Sequence, residues 1–174
     1  SEYKIYSNTS NLINFELSQK ELEKLVVNVV DIEGPVHLEE VIKRIRTNNG
    51  FKRTGYKIKD SIMNAINTCE IKGSIIRKED FLFDRNSTVN LRKRDSSNPL
   101  KIEYICDQEI ELGIVEVLKN QYSTSPDELV VQTSKLLGFK STGEQVRIRI
   151  TDIISKMIAR NKLRSLLNGR VELI

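Results

Sequence analysis

The sequence has little of the chemistry on which metal sites and many enzymes rely. It contains no Trp, one His and two Cys among its 174 residues. This supply does not make up the four ligands of a Cys/His zinc site, and two Cys provide no disulfide framework. We therefore expect no metal, no cofactor and a reducing, cytoplasmic setting.

Long apolar runs are also missing. No window comes near the roughly 18 uninterrupted apolar residues of a transmembrane helix, so no membrane span or membrane partner is expected. The N-terminus has no apolar signal region and no initiator Met, which suggests a piece of a longer protein. Apolar residues at 39% supply a core, and the net charge of +4 is too small to indicate disorder.

The chain does contain an internal repeat. Residues 50–55, Gly-Phe-Lys-Arg-Thr-Gly, recur as residues 138–143, Gly-Phe-Lys-Ser-Thr-Gly, at an offset of 88. Residues 18–86 align with 106–174 without a gap up to the last hairpin, and 12 of these 69 positions are identical. The apolar pattern shared by the two copies supports a tandem repeat more strongly than the identities do.

Each copy opens with two predicted helices. Apolar residues at helical spacing follow Ser18, an N-cap with Glu21 three residues later. The same spacing follows Asp107 in the second copy. After a turn in each copy, second helices are predicted over roughly 38–47 and 126–137, each ending at the Gly of the repeated motif.

A third helix and a hairpin complete each copy. Thr54 and Thr142 are predicted to cap the third helices. Both helices repeat their apolar residues at i, i+4, i+7, i+8 and i+11, which predicts one buried face. These stripes are Ile58, Ile62, Ala65, Ile66 and Cys69, and Val146, Ile150, Ile153, Ile154 and Met157. The predicted hairpin strands are 74–77 with 81–84, and 163–166 with 170–174.

This element order is that of a winged helix-turn-helix. We predict a mainly α chain with small β hairpins, an α+β fold built as a tandem repeat of two winged helix-turn-helix units. The expected organisation is an N-terminal arm or linker remnant over 1–17, repeats over 18–84 and 106–174, and a β-containing connector over 85–105. Within the connector, 88–91 and 101–105 alternate like strands.

The repeated motif has the glycine spacing of a Walker A loop but not its chemistry. Such a loop needs Lys and Ser or Thr directly after its last glycine and follows a strand. Here Tyr56 or Glu144 follows, and a helix precedes. The motif serves as a corner between helices, while its repeated Lys, at 52 and 140, suits a phosphate contact at a helix N-terminus.

Positive charge is concentrated around the first copy of the motif. Residues 41–59 hold seven basic side chains and no acid, although the chain has 24 acids. This is the electrostatic pattern of DNA backbone binding, and an ordinary solvated helix face is the alternative. We expect phosphate contacts from the first copy, base-edge contacts from its third helix and secondary contacts from the second copy. The candidates are Lys52, Arg53, Thr54, Lys57, Lys59, Ser61 and Asn64, with Lys140, Arg147 and Arg149 in the second copy.

The second copy is less suited to DNA. Ile148 is an apolar residue on the solvent-facing side of the third helix, so we expect it to pack on another domain or on the first repeat. Contact with a thymine methyl is the alternative. Arg92-Lys93-Arg94 in the connector is a further short basic cluster.

No catalytic constellation is present in the sequence. His37 is expected at a strand end or in packing, Cys69 is expected in the core, and Cys106 has no His nearby. Neither a nucleophile elbow nor a zinc-protease motif occurs. We expect a binding protein, not an enzyme.

Four segments together resemble a known family. They are Glu-Gly-Pro-Val-His at 33–37, the motif at 50–55, Lys101–Ile105 leading into Glu109-Ile110, and Leu136–Gly143. In this order they resemble the C-terminal domain of unknown function of large bacterial superfamily 1 helicase-like proteins, over roughly 20–174. The resemblance implies a DNA-transaction context and upstream helicase-like domains as partners, and it transfers no ATPase or nuclease activity and no site residues.

Two functional hypotheses follow. The first is a tandem winged-helix module that binds duplex DNA and is accessory to a helicase or nuclease. The second is a docking module that uses the same fold to bind its parent's motor domain, or a second copy of itself, without contacting DNA.

Overall fold

The computed structural model describes residues 1–7, 17–50, 56–86, 88–94 and 100–174. Over these ranges it has six α-helices and two small antiparallel sheets. The chain divides into two compact units. We call Lys4–Thr88 the first unit, and Ser1–Tyr3 with Val89–Ile174 the second unit. The predicted combination of helices with small hairpins is therefore confirmed as a mixed α and β structure.

The first unit follows the predicted order, with one additional strand. Its elements are α1 (Gln19–Glu33), β1 (Val36–His37), α2 (Leu38–Asn48), α3 (Tyr56–Ile71), β2 (Ile75–Lys78) and β3 (Phe81–Asp84). Its core comprises the apolar faces of all three helices and the inner residues of the sheet, among them Val26, Ile45, Ile62, Ile66 and Leu82.

The second unit has the same sequence of elements after a short 3-10 helix, Ile102–Tyr104. They are α4 (Asp107–Gln121), β4 (Ser123–Thr124), α5 (Pro126–Leu136), α6 (Glu144–Ala159), β5 (Leu163–Ser165) and β6 (Val171–Leu173). Its core includes Ile110, Ile114, Leu129, Ile150 and Val171.

Each sheet has three strands, one more than predicted. The strand order is β1-β3-β2 in the first unit and β4-β6-β5 in the second. Val36 pairs with Leu82, and Thr124 pairs with Val171. Two-residue strands show no alternation in sequence, so only the distant pairing partner defines them.

The predicted helix starts are mostly confirmed. Ser18 and Glu21 form the expected capping box, and Ser125 caps α5 through a hydrogen bond from Glu128 N–H. The predicted cap at Thr142 is wrong, because α6 begins at Glu144 and Gly143 occupies the N-cap position. The Thr142 hydroxyl instead lies 2.6 Å from the Ser134 hydroxyl, where it joins the end of α5 to the chain before α6.

The predicted strands of the connector are wrong for the described residues. Residues 102–104 form the 3-10 helix, and 88–91 form no strand. Ile102 and Ile105 are both buried, at the i, i+3 spacing that a 3-10 turn places on one side.

The N-terminal arm is divided between the units. Tyr3 N–H donates to Lys93 O at 2.8 Å, and Lys93 N–H donates to Ser1 O at 2.6 Å, both within the second unit. In the first unit, Tyr6 is buried and its N–H donates to the Glu33 carboxylate at 2.9 Å. Residues 8–16 of the predicted arm lie outside the described ranges.

Candidate nucleic-acid interface

The interface begins with the way in which α3 is fixed in the first unit. The predicted stripe is buried from Ile62 to Cys69, and α3 packs mainly on α1. Because side chains at i and i+4 share a helix face, burial of this stripe leaves the opposite side of α3 in solvent.

The exposed side of α3 is polar and hydrogen-bonding. Lys57, Ser61, Asn64 and Asn67 are all exposed, and Asp60 is half-buried. The Ser61 hydroxyl donates to Lys57 O at 2.9 Å. Amide and hydroxyl groups of this kind are able to donate to and accept from base edges.

The first turn of α3 carries no acid, in contrast to α2 and α6. It contains Lys57 and Lys59, whose positive charges add to the positive end of the helix dipole. Positive side chains at this end reduce helix stability, but they favour an anion near the exposed N–H groups. Three candidates just upstream, Lys52, Arg53 and Thr54, lie outside the described residues.

Residues 41–59 contain no acid, but acids from outside this run lie next to several of its basic side chains. Arg44 Nε lies 2.8 Å from Glu33, and Lys43 Nζ lies 3.2 Å from Glu40. Lys59 Nζ lies 2.8 Å from Glu39. The interpretation of this run as one basic surface is therefore wrong for these three cations, because acids just before the run pack against it.

In the second unit, the candidate cations on α6 are paired as well. Arg147 Nη1 lies 2.8 Å from Asp127 Oδ1, and Arg149 forms an ion pair with Asp107. Lys140 is exposed.

Ile148 lies on the outer side of α6 with 56% of its surface exposed. It borders a shallow groove with Ile102, Gln145 and Asp152. Arg149 lines the same groove, so this side of the second unit combines apolar, polar, acidic and basic groups.

The basic cluster of the connector is turned inward. Arg92 and Arg94 are buried and bind the fully buried Glu109, with Arg94 Nη1 and Nη2 both 2.8 Å from its oxygens. Tyr3 packs against both guanidinium groups, at 5.0 Å and 4.8 Å. Burial raises the pKa of Glu109, but hydrogen bonds from Arg94 and Arg92 outweigh it and leave the pKa below its ordinary value. Arg92 and Arg94 therefore stabilise the second unit and are not available to a ligand, whereas Lys93 between them is exposed.

The remaining reactive side chains serve the fold. His37 is the N-cap of α2, and its Nδ1 accepts a hydrogen bond from Glu39 N–H at 3.1 Å. Burial raises the pKa of the Cys106 thiol to about 11 and also raises that of Cys69. Within the described ranges, no group of three or more His, Cys, Asp or Glu could hold a metal ion, and none of the helices is long and apolar enough to cross a bilayer.

Comparison with known proteins yields one match. Residues 15–60 match the model of a family described as a protein of unknown function, DUF3320. The matched stretch includes α1, β1, α2 and the first turn of α3, all in the first unit. No curated protein and no solved structure matches the chain.

Proposed function

We propose that each unit is a winged helix and that the chain is a DNA-binding accessory module of a bacterial helicase- or nuclease-related protein. In this proposal α3 enters the major groove of duplex DNA. Lys52, Arg53 and Lys57 contact phosphates, Lys59 does so only when it leaves Glu39, and Ser61 and Asn64 contact base edges. Lys140, Arg147 and Arg149 of the second unit make secondary contacts. The module binds DNA and leaves catalysis to helicase-like domains upstream in the same parent protein.

The observation that carries this proposal is the outer side of α3. It combines exposed Lys, Ser and Asn side chains with a first turn that has two Lys and no acid. The element order supports the proposal too, because a helix followed by a hairpin is where a winged helix-turn-helix places its recognition helix. The family match is consistent with this choice of unit, although that family has no assigned function.

A salt titration of duplex binding tests the proposal. Each phosphate that the chain neutralises steepens the log–log salt dependence by about 0.9. Lys57→Ala should therefore weaken binding and make the slope shallower by about 0.9, whereas Asn64→Ala should weaken binding with little change of slope. Lys119→Ala, which removes an exposed cation from the end of α4, is the control and should leave both unchanged.

The same titration tests the candidates in the repeated motif. Lys52→Ala combined with Arg53→Ala should make the slope shallower by about 1.8, since two phosphate contacts are lost. No binding at low salt by the wild type, or binding that neither Lys57→Ala nor the double substitution affects, would sink the proposal.

A second function is favoured by the second unit. On α6, Arg147 and Arg149 are paired with carboxylates while Ile148 is exposed. We propose as the alternative that this unit docks on the parent's helicase-like domain or on a second copy of the chain. In this alternative the chain makes no direct contact with DNA.

A further inference from the structure

The two units share an ion pair at matching positions. Glu39 and Asp127 lie in the first turns of α2 and α5, and Lys59 and Arg147 are the fourth residues of α3 and α6. Both pairs close at 2.8 Å, and their residues are related by the repeat offset of 88. In both units the second helix provides the acid and the third helix provides the cation, although the residue types differ.

Neither pair is shielded from water. The side chains of Lys59 and Glu39 are 47% and 45% exposed, and those of Arg147 and Asp127 are 44% and 92% exposed. Ion pairs as exposed as these contribute little to stability. The shared geometry therefore calls for an explanation other than holding the helices together.

The position of the cations suggests that explanation. Each lies in the first turn of a third helix, where a DNA phosphate would approach under the proposed function. A phosphate that takes Lys59 away from Glu39 leaves that carboxylate next to the DNA backbone, where like charges repel. If the pair stays closed instead, Lys59 neutralises no phosphate.

We propose that Glu39 and Asp127 compete with DNA phosphates for Lys59 and Arg147, and so hold down the affinity of the module for the backbone. This inference rests on the proposed function. The carboxylates weaken the contacts with phosphates and leave the contacts with base edges unchanged. A larger share of the binding free energy then depends on base sequence. Glu39 is then a specificity-determining residue of the α3 interface.

The test is a set of salt titrations with the whole chain and a short DNA duplex. Glu39→Gln should bind about fivefold more tightly at 0.1 M salt, with a slope steeper by about 0.9, because Lys59 then neutralises one more phosphate. In a Lys59→Gln background the same substitution should have no effect, since the cation for which Glu39 competes is gone. Thermal unfolding should show that neither variant loses its fold.

A matched control removes an acid outside the pair. Glu70 is exposed near the end of α3, about 16 Å along the helix from Lys59 at a rise of 1.5 Å per residue. Glu70→Gln should leave affinity and slope nearly unchanged, which separates competition for Lys59 from the general gain of removing one negative charge. Asp127→Asn reports on Arg147 in the same way.

The outcomes separate this inference from the proposed function. If the wild type binds DNA and Glu39→Gln binds equally or more weakly, or gains no more than Glu70→Gln does, competition is overturned while DNA binding stands. If the wild type fails to bind at low salt, the proposed function falls, and this inference falls with it because it rests on that function.

Discussion

Arg44 points its guanidinium group into the first unit, where its Nε donates to the Glu33 carboxylate across 2.8 Å. Glu33 is completely buried, and only 12% of the Arg44 side chain is exposed. A second contact joins Arg44 Nη1 to Glu40 Oε2 at 3.0 Å. Arg44, near the start of the basic run, thus packs inside the first unit and is not part of a surface for ligands.

Replacing Arg44 should damage the fold and leave the interface chemistry intact. Arg44→Ala removes the cation that pairs with the buried Glu33 carboxylate, so we expect a loss of about 3–5 kcal/mol in the free energy of unfolding. Urea unfolding measures this loss. Lys57→Ala, at an exposed position of α3, should cost less than about 0.5 kcal/mol. Equal costs for the two variants would contradict the inward orientation of Arg44.

Glu109 should make the second unit sensitive to acid. Its pKa is lowered in the folded state from an ordinary value of 4.5. The stabilisation it provides is therefore fully present above about pH 4.5, and it is lost as the pH falls through the lower, folded-state pKa. The free energy of unfolding should drop more steeply below pH 4.5 in the wild type than in Glu109→Gln, which has no carboxylate to protonate.

Glu21 provides the matched control for Glu109, because the repeat aligns the two positions. Glu21 belongs to the capping box at the exposed start of α1, where hydrogen bonds with Ser18 lower its pKa. Glu21→Gln should change the acid sensitivity less than Glu109→Gln does. The reverse order would show that the buried cluster is not the main source of acid sensitivity.

Two glycines at matching positions should differ in their tolerance of a side chain. Gly50 and Gly138 both have positive φ, at 70° and 94°. Among the residues that the structure describes, a Cβ at Gly50 would meet nothing within 4 Å, whereas one at Gly138 would lie 2.9 Å from Arg94 Cβ and 3.1 Å from Arg94 O. Gly50→Ala should cost about 1 kcal/mol, from backbone strain alone. Gly138→Ala should cost about 1–3 kcal/mol more, because Arg94 must shift.

Chemical denaturation of both glycine variants checks this order. Acid unfolding of both variants should be measured as well, because a displaced Arg94 would weaken its contact with Glu109. If Gly138→Ala is no less stable than Gly50→Ala, then Arg94 yields without cost and the packing argument fails.

Ile148 offers a test of the docking alternative. Because more than half of its surface is exposed, Ile148→Glu should change the free energy of unfolding by less than about 0.5 kcal/mol. If the second unit self-associates through this face, sedimentation velocity should show the oligomer of the wild type converting to monomer in the variant. Ile71→Glu, at an 87% exposed position of α3, is the control and should leave assembly unchanged.

The helices could be predicted from sequence because their signals are local. Ile62 and Ile66, and likewise Ile150 and Ile154, mark buried faces by their spacing, and Ser18 with Glu21 marks a helix start. The strands β1 and β4 could not be predicted in this way. Val36 becomes part of a strand only through Leu82, a partner 46 residues away.

The candidate site was harder to predict than the fold. Exposure of Lys57, Ser61 and Asn64 follows from helix geometry and is confirmed. Whether a cation is available to a ligand depends instead on which acid packs beside it, as Glu33 does beside Arg44. A count of charges along the chain does not show which acid packs beside which cation in the folded protein. Comparison of the two repeat copies does carry such information. Aligning the copies places Glu39 with Asp127 and Lys59 with Arg147, a signal that could have identified the pairs.

The matched ion pairs also make the units interchangeable in one respect. A second such pair joins Glu23 to Lys72 and, 88 residues later, Glu111 to Arg160. If α3 and α6 were exchanged in a chimera, Arg147 would face Glu39 and Lys59 would face Asp127, so these two pairs would keep opposite charges. The exchange would separate Arg149 from Asp107, because the residue aligned with Asp107 is the neutral Gln19. Exchanging the third helices would therefore place the outer side of each helix on the other unit and would still leave an acid of the second helix opposite a cation of the third.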